Sequence, residues 1–292
     1  MNKILLLIII SGFCGGSVFP LIKIAEAHDI PKFAYIFWET LFVTIFLTLI
    51  ALSRKEFSLL KKAEWKYYSF CALTNIFIPQ SLFFIIAANM PATTISLLTS
   101  LTPLFVYLCL LVFFGETVVK NKMLGLLLGF AGILFLFVPS LITENYSFSW
   151  GWLLFSMLLP AVYTLNRIFV TKLQPQDASP YRLAIGLFSI VCIISCTAMV
   201  ATNSVYIPFT AINAGELALL SHAILMTAFY ICFFIISKEG AVQNSLTFYL
   251  APLVGSGWGI LLFNETIDSP FIISALLIFY ALHLVNKKVL KP

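Results

Sequence analysis

From Tyr67 to Gly115 the chain carries no charged side chain. As a single helix this stretch would be about 74 Å long at 1.5 Å per residue, more than twice the roughly 30 Å hydrocarbon core of a bilayer. Asn89-Met90-Pro91 supplies the turn that divides it. The stretch therefore reads as two bilayer spans. Composition makes the reading general: 61% of the 292 residues are hydrophobic and 10% are charged, against about a quarter charged in soluble domains. The fold class is an all-α membrane protein.

Counting every apolar run against the roughly 20 residues needed to span gives ten transmembrane helices. They cover 4–25, 33–53, 67–88, 92–114, 123–142, 149–171, 182–202, 214–236, 241–263 and 269–286. Met1-Asn2-Lys3 and the apolar run from Ile4 resemble a signal peptide, with Ala25-Glu26-Ala27 as a cleavage site. The charge-free run continues to Ile22, long enough to span, so the expectation is a retained helix. An even count puts both termini on one side. The loops on that side hold Lys3, Arg54, Lys55, Lys61, Lys62, Lys66, Lys120, Lys122, Lys172, Lys238, Lys287, Lys288 and Lys291, and Arg167 and Arg182 are counted with them. Only Lys23 and Lys32 fall opposite. Positive charge collects at the cytoplasmic face, so both termini are expected in the cytoplasm, with the protein in the cell (inner) membrane.

The net charge of +5 is explained by those short loops, and no basic stripe with interleaved aromatics marks a nucleic-acid surface. The six cysteines all lie in apolar runs, without C-x-x-C or metal-ligand spacing. No G-x-x-x-x-G-K-[ST] loop, H-E-x-x-H, G-x-S-x-G or pair of intramembrane carboxylates occurs. The chain does not read as an enzyme, and no cofactor is expected.

A second constraint is an internal repeat. Adding 149 to first-half positions takes Lys23 to Lys172, Pro31 to Pro180, Ser96-Leu97 to Ser245-Leu246, and Glu116-Thr117 to Glu265-Thr266. It also takes Leu101-Thr102-Pro103-Leu104 to Leu250-Ala251-Pro252-Leu253, and Phe130 to Phe279. Leu matches are expected by chance in so apolar a chain; Pro, Lys and Glu-Thr matches at one offset are not. The halves are expected at 1–143 and 149–292. Five spans per half is an odd number, so the second copy enters the bilayer upside down. Two inverted five-helix repeats around a midplane site are the architecture of many secondary transporters.

The ordered motifs resemble the drug/metabolite transporter superfamily, in particular its ten-helix EamA-type members. The residues that carry the likeness are Pro103 followed by Phe114-Gly115-Glu116, and Pro252 followed by Phe263-Asn264-Glu265. Gly12-Phe13-Cys14-Gly15-Gly16-Ser17 in the first helix and Gly125, Gly129 and Gly132 in the fifth add to it. The chain departs from the family at Phe37-Trp38-Glu39-Thr40, where members commonly carry an Arg, and at Asn264 in place of Gly. The resemblance implies export of small metabolites, often amino acids, or of amphipathic toxic compounds, driven by an ion gradient or the substrate gradient.

Glu39 is the acid well inside an expected span. A charge there costs at least about 2.5–3.5 kcal/mol and usually serves a pathway. It is expected to meet a cationic group on the substrate or to exchange a proton, unless it reaches water near the outer interface or pairs with Lys23 or Lys32. His222, near the middle of the eighth span, either relays protons or serves as a neutral hydrogen-bond partner between helices. Ser17, Phe19, Trp38, Asn75, Gln80, Tyr163, Asn166, Tyr230, Gln243 and Tyr249 lie at pocket depth in helices that line the cavity of the resembled family. Each alone reads equally as an interhelical contact; as a group, some are expected to line the cavity. Ser17 and Asn166 are mates at the 149 offset. The function expected is a secondary transporter exporting small organic metabolites, amino acids first, by alternating access. Its partners are a small-molecule substrate, the lipid bilayer and protons as a coupling ion. The alternatives are an exporter of lipophilic cations and a pore-type channel.

Overall fold

The structure is a computed structural model that describes residues 3–87, 89, 95, 98–143, 150–209, 212–263 and 269–286. Among the described residues it is helical, with no strand. In chain order the helices are α1 (Lys3–Gly16), α2 (Val18–Glu26), α3 (Lys32–Ser53), α4 (Trp65–Ala72), α5 (Ile78–Ala87), α6 (Thr102–Phe114) and α7 (Lys120–Thr143). They continue as α8 (Trp150–Ser156), α9 (Leu158–Leu173), α10 (Pro180–Ala201), α11 (Ala214–Ile236), α12 (Ala241–Ser245), α13 (Thr247–Phe263) and α14 (Ser269–Asn286). A single π-helical turn, Leu73–Phe77, joins α4 to α5.

Several spans that the sequence presents as continuous are interrupted, and prolines explain where. A proline has no N–H to give the carbonyl four residues earlier. Pro20 leaves the Gly16 carbonyl free, and the chain breaks between α1 and α2 at Ser17. Pro160 does the same to Ser156, where α8 ends. Pro79 follows the π turn that contains Asn75, its fourth residue back. Pro252 frees the Phe248 carbonyl, which accepts a hydrogen bond from Ser100 Oγ at 3.4 Å.

Five segments are long and apolar enough to cross a bilayer: Lys3–Glu26, Lys32–Ser53, Trp150–Leu173, Pro180–Ala201 and Ala214–Glu239. Outward side chains on these and the other helices are apolar, among them Leu49, Val112, Phe113, Trp150 and Leu261. A water-soluble monomer exposes apolar patches of only a few hundred Å², so this exterior belongs in lipid. The protein is a multi-pass membrane protein.

The two largest apolar clusters of the interior are each drawn from both halves of the chain. One joins α3 and α4 to α10 and α11 through Val43, Leu47, Tyr68, Leu183, Phe188 and Phe233. The other joins α1, α6 and α7 to α12, α13 and α14 through Ile8, Val106, Leu126, Leu246, Leu250 and Ile278. Helix α3 packs against α10, and α7 against α14. Helix α1 packs against α11 and α13, while α9 packs against α5, α6 and the π turn. Lipid tails are as apolar as leucine, so close backbone approach and van der Waals contact hold such helices together. Gly16 shows it: a Cβ there would lie 2.6 Å from Val254 Cβ and would strike the Ala251 carbonyl. On α7, Gly125 faces Val285 of α14 and Gly129 faces the Tyr249 ring of α13.

Two cations counted with the loops are not at a surface. Arg182 is buried, with Nη2 donating to Glu64 Oε1 at 2.9 Å and Tyr68 donating to the other oxygen of that carboxylate. Arg167 lies well inside α9 and is 2% exposed. Its helix runs six residues beyond it, about 9 Å of rise, which carries Lys172 rather than Arg167 to the loop.

Candidate functional site

Two polar clusters lie inside the helical body. The first unites Glu39 and Tyr35 of α3 with His222 of α11. Tyr35 Oη and His222 Nδ1 are 2.7 Å apart, and His222 Nε2 is 3.7 Å from Glu39 Oε1. The Tyr35 and His222 rings stack with centroids 5.6 Å apart. One helical turn separates Tyr35 from Glu39, so both side chains leave the same face of α3. When the tyrosine donates to Nδ1, the imidazole proton sits on Nε2 and points toward the carboxylate. Glu39, 5% exposed, thus finds an imidazole partner on α11.

The second cluster centres on Arg167. Its guanidinium carbon lies 4.4 Å from the Phe233 ring centroid and 5.1 Å from that of Phe248. Phe233 belongs to the first apolar cluster; Phe248 adjoins Tyr249 of the second, so Arg167 occupies the junction between them. Tyr163 and Tyr230 stand within electrostatic reach of it, and Tyr163 packs on Phe248 with centroids 4.8 Å apart. Nε and Nη1 of Arg167 have no hydrogen-bond partner. Aromatic faces attract the cation, by about 2 kcal/mol when desolvated, but they accept no N–H. A buried donor left unsatisfied costs about 1–3 kcal/mol, more when charged. Thr164 and Thr171, at i−3 and i+4 from Arg167, also carry hydroxyls without partners. One face of α9 therefore presents unused polar groups to the interior.

The remaining sequence candidates divide by placement. Asn166 is fully buried and donates to Thr74 Oγ1 at 2.9 Å, leaving its own oxygen unpartnered beside the π turn that holds Asn75. Asn75 Nδ2 is unpartnered too. Ser17 accepts from Trp258 Nε1 at 2.7 Å, tying the break between α1 and α2 to α13. Trp38 donates to the Tyr206 carbonyl at 2.7 Å. Tyr230 meets Phe188 edge-on at 4.7 Å. Gln80 and Gln243 are half-buried on α5 and α12. The Tyr249 hydroxyl is already used, donating to the Leu126 carbonyl at 2.8 Å, with its ring against Gly129. The Phe19 side chain lies outside the described residues.

With this geometry in place, comparison with known proteins shows what the sequence is similar to. Residues 2–138 match the EamA-like transporter family. The match covers just under half of the chain. The match is in keeping with the drug/metabolite transporter superfamily and points to a transporter, not an enzyme. A chloroplastic WAT1-related protein of Arabidopsis thaliana is 31% identical over 182 residues, covering 59% of this chain and 43% of that protein. The chain thus spans less than half the length of that relative. A crystal structure of a protein 15% identical in sequence superposes with a TM-score of 0.77 and covers 98% of each chain; at that identity the likeness shows the fold alone.

The EamA-like half supplies Ser17, Tyr35, Trp38, Glu39, Asn75 and Gln80, and Arg167 and His222 come from the remainder. The cluster of Tyr35, Glu39 and His222 needs both, whereas the residues around Arg167 all come from the remainder. Sequence reasoning missed Tyr35, because a tyrosine near a span end reads as an interface anchor. It missed Arg167 because a cation a turn and a half from a loop reads as a loop cation. The available signal was depth: Arg167 precedes the Phe169-Val170 run and not the turn.

Proposed function

We propose that the chain is a secondary transporter that exports small organic metabolites, amino acids and related compounds first, across the cell (inner) membrane by alternating access. In this reading ten spans form two inverted five-helix halves, 1–143 and 149–292, with both termini cytoplasmic. One observation carries it, the reciprocity of the packing. The 149 offset relates α3 to α10 and α7 to α14, and each of these helices packs on its own counterpart. The same offset relates α1–α2 to α8–α9, α4–α5 to α11, and α6 to α13. Helix α1 meets α11 and α13 just as α9 meets α5 and α6. Two related halves that share these interfaces can exchange conformations and open one central site to either side.

Glu39 and His222 are the proton-exchanging pair in this scheme, facing Tyr35 on one side and in electrostatic reach of Tyr230 on the other. A buried carboxylate on α3 also supports the second reading, an exporter of lipophilic cations. Counterflow in proteoliposomes tests the proposal. Saturable exchange of a preloaded amino acid is the expected result. Exchange of a quaternary cation alone favours the second reading, and flux that never saturates marks a channel and removes both.

A further inference from the structure

We propose that Arg167 is the anchor for a carboxylate on the transported molecule, so that the substrate is a small organic acid or zwitterion with an apolar body. The inference rests on the carrier reading above and gives it a substrate chemistry.

The residues state the ligand in three ways. A guanidinium presents its N–H donors along the edge of a plane, in a fork that matches a carboxylate. Here the ring contacts come from Phe233 and Phe248, while Nε and Nη1 lack an acceptor. The environment supplies what holds the cation in place and omits what would neutralise it. Among the described residues Arg167 has no ion pair, and the charged or titratable groups in its electrostatic reach are the phenols of Tyr163 and Tyr230. A single cation matches a monoanion, which favours a carboxylate over a phosphate ester carrying two charges. The walls formed by Phe233, Phe248, Tyr163 and Tyr230 suit an apolar or aromatic body next to that carboxylate.

Position separates this anchor from the acidic cluster. His222 and Phe233 lie eleven residues apart on the unbroken helix α11, about 16 Å along its axis. The ammonium and carboxylate of one amino acid are far closer than that, and the proposal gives Glu39 the proton and not the ammonium of a molecule held by Arg167. The two clusters divide the work: Arg167 takes substrate, and Glu39 with His222 takes the coupling proton.

Thermal stabilisation of the purified full chain tests the anchor, because a ligand raises the melting point when it prefers the folded state. The probes are 3-phenylpropionate, phenethylamine and phenyl phosphate, against wild type, Arg167→Gln and Arg167→Lys. Phenylpropionate is expected to stabilise the wild type and phenethylamine to leave it unchanged. Its apparent Kd should weaken about tenfold to 100-fold in Arg167→Gln, the loss of charge-assisted hydrogen bonds, with Arg167→Lys intermediate. Stronger stabilisation by the amine or the phosphate, none by the carboxylate up to its solubility, or an unchanged Kd in Arg167→Gln overturns the proposal. Should Arg167→Gln fail to fold, the wild-type ligand preference and the lysine variant decide it. Counterflow with the same proteins keeps the two readings apart. Arg167-dependent binding without exchange sinks the carrier and spares the anchor; exchange untouched by Arg167→Gln does the reverse.

Discussion

The hydroxyl of Tyr35 and Nδ1 of His222 lie 2.7 Å apart although 187 residues separate them in the chain. The contact closes α3 against α11 and aims the second imidazole nitrogen at Glu39. At 3.7 Å the carboxylate and the imidazole make an ion-pair contact and not a hydrogen bond, and in the proposed carrier they exchange the coupling proton. Glu39→Gln keeps the shape and removes the proton site. It is expected to abolish accumulation driven by a pH gradient while leaving exchange at equal pH intact, read by uptake into proteoliposomes across a series of imposed gradients. Gradient-driven accumulation by the glutamine variant would end the coupling role.

Glu64 and Arg182 pair at 2.9 Å with both side chains buried. Removing one partner strands the other charge, at a cost of about 3–5 kcal/mol. Glu64→Ala should therefore lower the melting point sharply in detergent. Combining it with Arg182→Met should recover much of the loss, because the stranded charge goes too. A double variant no more stable than Glu64→Ala would show that the pair acts otherwise.

Glycines on α1 and α13 differ in what surrounds them. Gly16→Ala drives a methyl into the Ala251 carbonyl and Val254, with an expected destabilisation of about 1–3 kcal/mol. Gly257 has nothing within 4 Å of an added Cβ. Gly257→Ala should be neutral or stabilising by up to about 1 kcal/mol, the helix-propensity difference. Equal melting points for the two variants would contradict the packing at Gly16.

Tyr206 donates to Glu216 Oε1 at 2.8 Å, and Phe209 N donates to the same oxygen at 2.7 Å. Burial, then the Glu216 hydrogen bond and charge, push the Tyr206 phenol above its ordinary value of 10.0. A raised phenol favours the folded state while it is protonated. Its contribution is complete below about pH 10 and is lost as pH rises through the higher folded value. Ultraviolet titration of the wild type minus that of Tyr206→Phe should isolate a phenol that ionises above its ordinary range, and Glu216→Gln should bring it earlier. Titration of that phenol in its ordinary range would refute the clamp.

Prolines and glycines were legible in part. Pro20, Pro79, Pro160 and Pro252 announced weak points in their spans, and each adjoins a break, a turn or a freed carbonyl. Gly125 and Gly129 announced a close-packed face, but not that Val285 and Tyr249 fill it. Tyr249 itself shows the limit. At pocket depth it reads as a cavity residue, whereas its hydroxyl is spent on the Leu126 carbonyl.

Hydropathy along the chain is a local quantity, and it determined by itself that this protein is helical, apolar outside and multi-pass, with its helices near the expected residues. The 149 offset is likewise read from the chain alone, since it compares one stretch with another. Partnership is not local. Whether Glu39 meets a lysine or His222, and whether Arg167 reaches a loop or two phenylalanine rings, depends on how helices far apart in sequence rotate against each other. A turn of about 100° per residue in a helix moves a side chain from lipid to interior. Only tertiary packing sets that rotation, and with it the two buried clusters on which the proposed function rests.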